Sequence, residues 1–112
     1  MKSTAIDTIF LKEIVGEDKE FEKELFTIFS DNANRNIIKM EGSISDKDNN
    51  AWYMASHAFK GAAASIGAFD LSQLLEHAQQ FPEESFEEKK ELMRKINEDF
   101  QLVLEFINEE ML

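Results

Sequence analysis

The amino-acid sequence predicts an all-α fold: an antiparallel up-down-up-down four-helix bundle with a short extra N-terminal helix. Three observations carry this expectation. Apolar residues recur at three- and four-residue steps through each long segment. Four Gly and one Pro leave few breakpoints in 112 residues. The apolar/polar alternation of a half-buried strand nowhere persists beyond a few positions. Helices with one apolar stripe each bury those stripes against one another, and short linkers make successive helices antiparallel neighbours.

The first segment, about Ile6 to Val15, stops at Gly16, a residue suited to the left-handed position just past a helix end. From Asp18, the residues Phe21, Leu25, Ile28, Phe29, Ala33, Ile37, Met40 and Ile44 form one stripe along a long helix. The stretch "SDKDNN" breaks it and offers side chains that accept from the free N–H groups of a third helix, about Asn50 to Ile66, closed by Gly67. Leu71, Leu74, Leu75 and Ala78 mark a fourth, which ends near Phe81 because the residue before Pro82 avoids the helical region. Ser85 and Glu88 have the S-x-x-E spacing of a capping box, and the last helix continues through Leu92, Ile96, Phe100, Val103, Ile107 and Met111. Within "EEKKELMRK", pairs such as Glu91 with Lys95 read as a solvated helix face. With no repeat, low-complexity stretch or internal boundary, residues 1–112 are expected to form one domain around one core, with the methionines as core filler.

Charge and composition exclude several classes. A net charge of −11, from 23 acidic and 12 basic residues, repels phosphate backbones and anionic lipid, so neither nucleic acid nor membrane is an expected partner. The absence of cysteine removes disulfides, thiolate metal sites and cysteine nucleophiles. No apolar run approaches the roughly 20 residues of a membrane span, and "MKSTAIDTIF" lacks the apolar stretch of a signal peptide. A cytoplasmic location is expected. There is no G-x-x-x-x-G-K-[ST] loop for a nucleotide.

One stretch, "SHAFKGAAASIG", carries candidate chemistry. At about 100° per residue, Ala51, Ala55, Ala58, Phe59, Ala62 and Ile66 gather on one side with Trp52 at its flank. His57 falls roughly 180° from Ile66 and is expected to face solvent. Its helical neighbours are Tyr53 and Met54 before it and Lys60, Gly61 and Ala64 after it. Glycine inside a helix costs about 1 kcal/mol relative to alanine, which this segment uses freely, so Gly61 on the solvent side reads as clearance for something arriving from outside. An exposed imidazole is largely neutral near neutral pH and can act as a nucleophile, proton carrier or ligand. Lys60 adds positive charge, which suits an incoming phosphoryl group. The plain alternative is a surface histidine, a solubilising lysine and a tolerated glycine.

The pattern H-x-[LF]-K-G followed by a second glycine, here His57, Phe59, Lys60, Gly61 and Gly67, resembles the signature of histidine-containing phosphotransfer (HPt) domains. The similarity continues through "IGAFDLSQLLEHAQQ" and, upstream, through "LKEIVGEDKEFEKELFTIF"; about residues 5 to 110 can be laid on the pattern. Ser56 stands where many members have alanine, and Phe59 where leucine is usual. The resemblance implies a four-helix bundle whose His57 takes a phosphoryl group from an aspartyl phosphate on one receiver domain and passes it to another. It makes Lys60 the residue that favours the phosphorylated state, Gly61 the point of close approach, and Gln79 a polar group that hydrogen-bonds near the imidazole.

The expected partners are therefore receiver domains of response regulators or hybrid histidine kinases, met by a monomer. The chain would carry phosphoryl groups without being an enzyme or holding a cofactor, the Mg²⁺ coming from the receiver. Docking would combine Gly61 and Ala64 with apolar side chains of the first helix, among Ile9, Phe10 and Ile14. Two other readings compete. One is a binding-only adaptor that docks to a response regulator without being phosphorylated. The other is a metal-binding bundle, but no metal ligand is assigned because the Glu-x-x-His spacing is missing: Met54 stands three before His57 and Leu74 three before His77. His77 points away from the stripe of its helix and reads as a solvated residue.

Overall fold

The computed structural model describes residues 5–110. Five helices follow in order: α1 (Thr8–Val15), α2 (Lys19–Asp46), α3 (Asn49–Ser65), α4 (Phe69–Gln80) and α5 (Phe86–Glu110). α2 packs on α3, α3 on α4, α4 on α5 and α5 back on α2, which closes the four-helix bundle, while α1 lies against α2. The expected all-α bundle with a short N-terminal helix is the one observed.

Local chemistry explains the starts and stops. Asp7, Asp18 and Asp48 cap α1, α2 and α3, each carboxylate accepting from the backbone N–H three residues on at 3.0, 2.9 and 3.0 Å. α1 thus begins at Thr8 rather than Ile6, and Ile6 is buried in the core. The capping box is closed in both directions, Ser85 N to Glu88 Oε1 at 3.0 Å and Glu88 N to Ser85 Oγ at 3.1 Å. The Ser85 backbone N–H and then its hydroxyl hold the Glu88 carboxyl below its ordinary pKa. A carboxyl lowered in the folded state stabilises above its unfolded value and loses that contribution as pH falls through the folded one. Ser85→Ala is expected to cost about 1 kcal/mol near neutral pH. In thermal unfolding followed across the acid range, most of that cost should persist, because the Glu88 N–H to Ser85 Oγ bond does not titrate and the variant keeps the backbone N–H that lowers the Glu88 pKa most.

The core is aromatic where the helices meet. The Phe100 ring of α5 meets Phe29 of α2 at 6.0 Å and Phe59 of α3 at 6.1 Å between centroids, both edge to face. Trp52, placed on the flank by the wheel, is fully buried and donates its indole N–H to the Ala78 carbonyl at 3.0 Å, which locks α3 to α4. Gly67 closes the α3–α4 turn with a φ of +83°, and a Cβ there would lie 3.1 Å from both the Asp7 carbonyl oxygen and a Phe10 ring carbon. Asp7 N donates to the Gly67 carbonyl at 2.8 Å, so α1 is fastened to the end of α3.

Several expectations are corrected. Phe21 and Ile28 belong to the periodic pattern of α2 yet are exposed, because the helices around α2 cover only part of its circumference. Ala58 is exposed too, on the edge of α3 beside α2, and Ala62 only partly buried. Met40 and Met93 are core residues, whereas Met54 is 60% exposed; Met111 lies outside the described residues. Glu91 pairs with Arg94 at 2.6 Å instead of Lys95, and Lys89 within the same charged run is buried. Its ammonium donates to Asn49 Oδ1 at 2.7 Å and stands 5.1 Å from the Trp52 ring centroid, and burial pushes its pKa down against the opposing pull of Glu84.

Candidate functional site

α3 is the helix rich in small side chains. Alanines along it let α2 and α4 approach on either side, and the remaining face is left to water. His57 is on that face and exposed, as the wheel requires. Its ring lies nearly parallel to that of Tyr53, one turn earlier, at 6.3 Å between centroids and 14° between planes. Ser56 beside it turns inward, its hydroxyl donating to the Trp52 carbonyl at 2.7 Å. Burying Ser56 fixes the rotation of α3 that presents His57 outward.

Gly61, one turn after His57, is exposed, and a Cβ built there meets nothing within 4 Å. No packing among the described residues therefore calls for glycine, which in a helix interior costs about 1 kcal/mol relative to alanine. Ala64 is partly buried at the edge of the same face. Together they leave the backbone C-terminal to His57 uncovered.

Lys60 lies on the α4 side. Its ammonium donates to Glu76 Oε1 at 2.6 Å, with the two side chains 29% and 43% exposed. The wheel of a single helix places Lys60 near His57 but is blind to this partner, since the pair depends on the register of α4 against α3. One signal existed: Glu76 precedes Gln79 by three residues and so shares its helix face.

Gln79 follows Glu76 by one turn. Its Oε1 is buried and has no hydrogen-bond partner among the described residues, so this amide oxygen does not accept from the imidazole. An unsatisfied buried acceptor costs about 1–3 kcal/mol. Gln79→Leu is expected to leave thermal stability unchanged or raise it by about 1 kcal/mol, as read by chemical denaturation.

Of the apolar side chains of α1, Ile9 is 74% and Ile14 40% exposed, whereas Phe10 is half-buried with its ring 5.1 Å from Phe69. The Asp7–Gly67 bond sets the start of α1 at the C-terminal end of α3, beyond Gly61. On the other flank, a groove of about 580 Å³ runs between α2 and α3, bordered by Lys39, Gly42, Met54 and Ala58. Ile28 lies eleven residues before Lys39, three turns along the same edge of α2. His77, on α4, is exposed with Nε2 3.0 Å from Glu84 Oε2.

Among the described residues, no group of three or more His, Asp or Glu side chains is gathered as a metal site. No described helix is long and apolar enough to cross a membrane.

An imidazole displayed on the outer face of a middle bundle helix, beside bare backbone and a lysine, agrees with the family resemblance of the sequence. The chain belongs to the Hpt domain family, whose model matches residues 24–107. Among solved structures, its fold is similar to the crystal structure of histidine-containing phosphotransfer protein B (HptB) from Pseudomonas aeruginosa PAO1. The TM-score is 0.88 at 16% identity, covering 98% of this chain and 96% of that one. No curated protein sequence matches the chain.

Proposed function

We propose that the chain is a phosphoryl carrier of a two-component phosphorelay, with His57 accepting a phosphoryl group from a receiver-domain aspartyl phosphate and passing it to a second receiver. The observation that supports this most is the exposed imidazole on a rigid helix beside Gly61, whose missing side chain no packing among the described residues explains. Membership of the Hpt domain family supports the same reading.

The step is an in-line displacement. The lone pair of one ring nitrogen of His57 forms the N–P bond, and the P–O bond to the aspartate breaks with its electron pair on the leaving carboxylate. The other ring nitrogen keeps its proton while the first attacks, and the pyrrole-type N–H needs only water or an amide as acceptor. His57 is exposed and the Gln79 oxygen takes no bond from its ring, so water is the acceptor we assign to that N–H. The carboxylates and divalent cation that ordinarily serve phosphoryl transfer are assigned to the receiver.

Docking is assigned to the face around His57: the bare backbone at Gly61 and Ala64, Met54 on one side, and Ile9 and Ile28 toward the α1 end. The receiver is the only macromolecular partner this reading requires, and the protein meets it as a monomer.

The test is incubation with a phosphorylated receiver, followed by assay of acid-labile, alkali-stable phosphate on this chain. Labelling is the expected result. A receiver that binds yet leaves the chain unlabelled would instead establish the binding-only adaptor.

A further inference from the structure

Lys60 is not a free cation. It reaches across from α3 to α4 and donates to Glu76 Oε1 at 2.6 Å, with both side chains partly open to water. A pair exposed to this degree is screened and adds little to folding. The two helices are already joined by the buried bond from the Trp52 indole to the Ala78 carbonyl at 3.0 Å. As a staple the pair is redundant, and as a tether on a mobile ammonium it is weak enough to exchange.

We infer that Glu76 is a positioning residue for Lys60, holding the ammonium at the α4 flank while His57 is free and competing for it once His57 carries a phosphoryl group. This rests on the reading of His57 as a phosphoryl acceptor. Residues three apart on a helix have their Cβ atoms about 5–6 Å apart, so a phosphoryl group on His57 falls within the sweep of the lysine side chain. An ammonium has three donors and no acceptor, and it bonds most strongly to charged oxygens. The phosphoryl oxygens and the Glu76 carboxylate are then rival acceptors for one cation. No bond other than N–P and P–O changes. Each share of Lys60 retained by Glu76 is withdrawn from the phosphorylated state, so Glu76 keeps the phosphoryl group transferable.

The experiment compares wild type, Glu76→Gln, Lys60→Gln and the double variant. Each is phosphorylated by a receiver and, independently, by phosphoramidate, and the equilibrium of transfer between receiver and carrier is measured. Glu76→Gln is expected to shift that equilibrium about three- to fivefold toward the phosphorylated carrier, the worth of one half-exposed ion pair. In the Lys60→Gln background the same substitution should shift it less than about twofold. An equal shift in both backgrounds would mean that Glu76 acts by charge repulsion alone, and no shift in either would mean it does not act; both overturn the proposal.

A second readout does not depend on phosphorylation. In ¹⁵N spectra, the Lys60 ammonium of the wild type is expected to show protection from solvent exchange that Glu76→Gln removes. Identical Lys60 signals in the two proteins would overturn the tether. A wild type that shows the tether but takes phosphate from neither donor would instead remove the role of His57, and with it the competition.

Discussion

His57→Gln is expected to abolish phosphorylation by a receiver completely, with His77→Gln labelled like wild type. Glutamine at position 57 keeps a polar, hydrogen-bonding side chain on an exposed helical site, so stability should change little; its amide has no nucleophilic lone pair to offer phosphorus. His77 supplies the control because its ring sits on α4, engaged with Glu84 at 3.0 Å and beside the Phe81 ring at 4.8 Å. Radiolabel transfer followed on gels resolves the variants directly. Label retained by His57→Gln would move the chemistry to another residue.

The second large effect is expected at Gly61. Gly61→Gln places a long side chain where a Cβ has nothing within 4 Å. The fold should gain about 0.5 kcal/mol from better helix propensity. Transfer from a receiver should nevertheless fall about 100-fold, because a docked donor displaced by even about 1 Å loses the in-line geometry of attack. Phosphoramidate, small enough to reach the imidazole past the new side chain, should still label the variant at close to the wild-type rate. This combination of a more stable protein, an intact nucleophile and a lost macromolecular reaction separates clearance from chemistry. If the variant accepted phosphate from a receiver as fast as wild type, Gly61 would have no role in close approach.

Much of this site was legible in one helix. The placement of His57, Gly61 and Ala64 follows from a rotation of about 100° per residue applied to a segment whose apolar side is evident. The capping box of Ser85 and Glu88 and the acceptors of "SDKDNN", Asp48 among them, were legible because a cap is decided within four residues, whereas Asp7 lay inside the expected first helix and caps it instead. What the wheel missed depends on neighbours. Glu76 reaches Lys60 only once α4 is set against α3. Lys89 looked like one more member of a solvated run until Trp52 and Asn49 were brought beside it. Ala58 and Ile28 show the converse error: small or periodic apolar residues were assigned inward, whereas the helices leave those edges bare. Apolar periodicity tells which side of a helix is buried on average, and the width of the covered arc is set by the packing of the bundle.

The most direct test of the account is to transfer a phosphoryl group from a phosphorylated receiver to the wild-type protein. Its attachment site is then mapped by tandem mass spectrometry of peptides kept at neutral to alkaline pH. The account predicts a single modified residue, His57. A phosphoryl group found on His77, on a carboxylate or on a hydroxyl, with His57 unmodified, would contradict it.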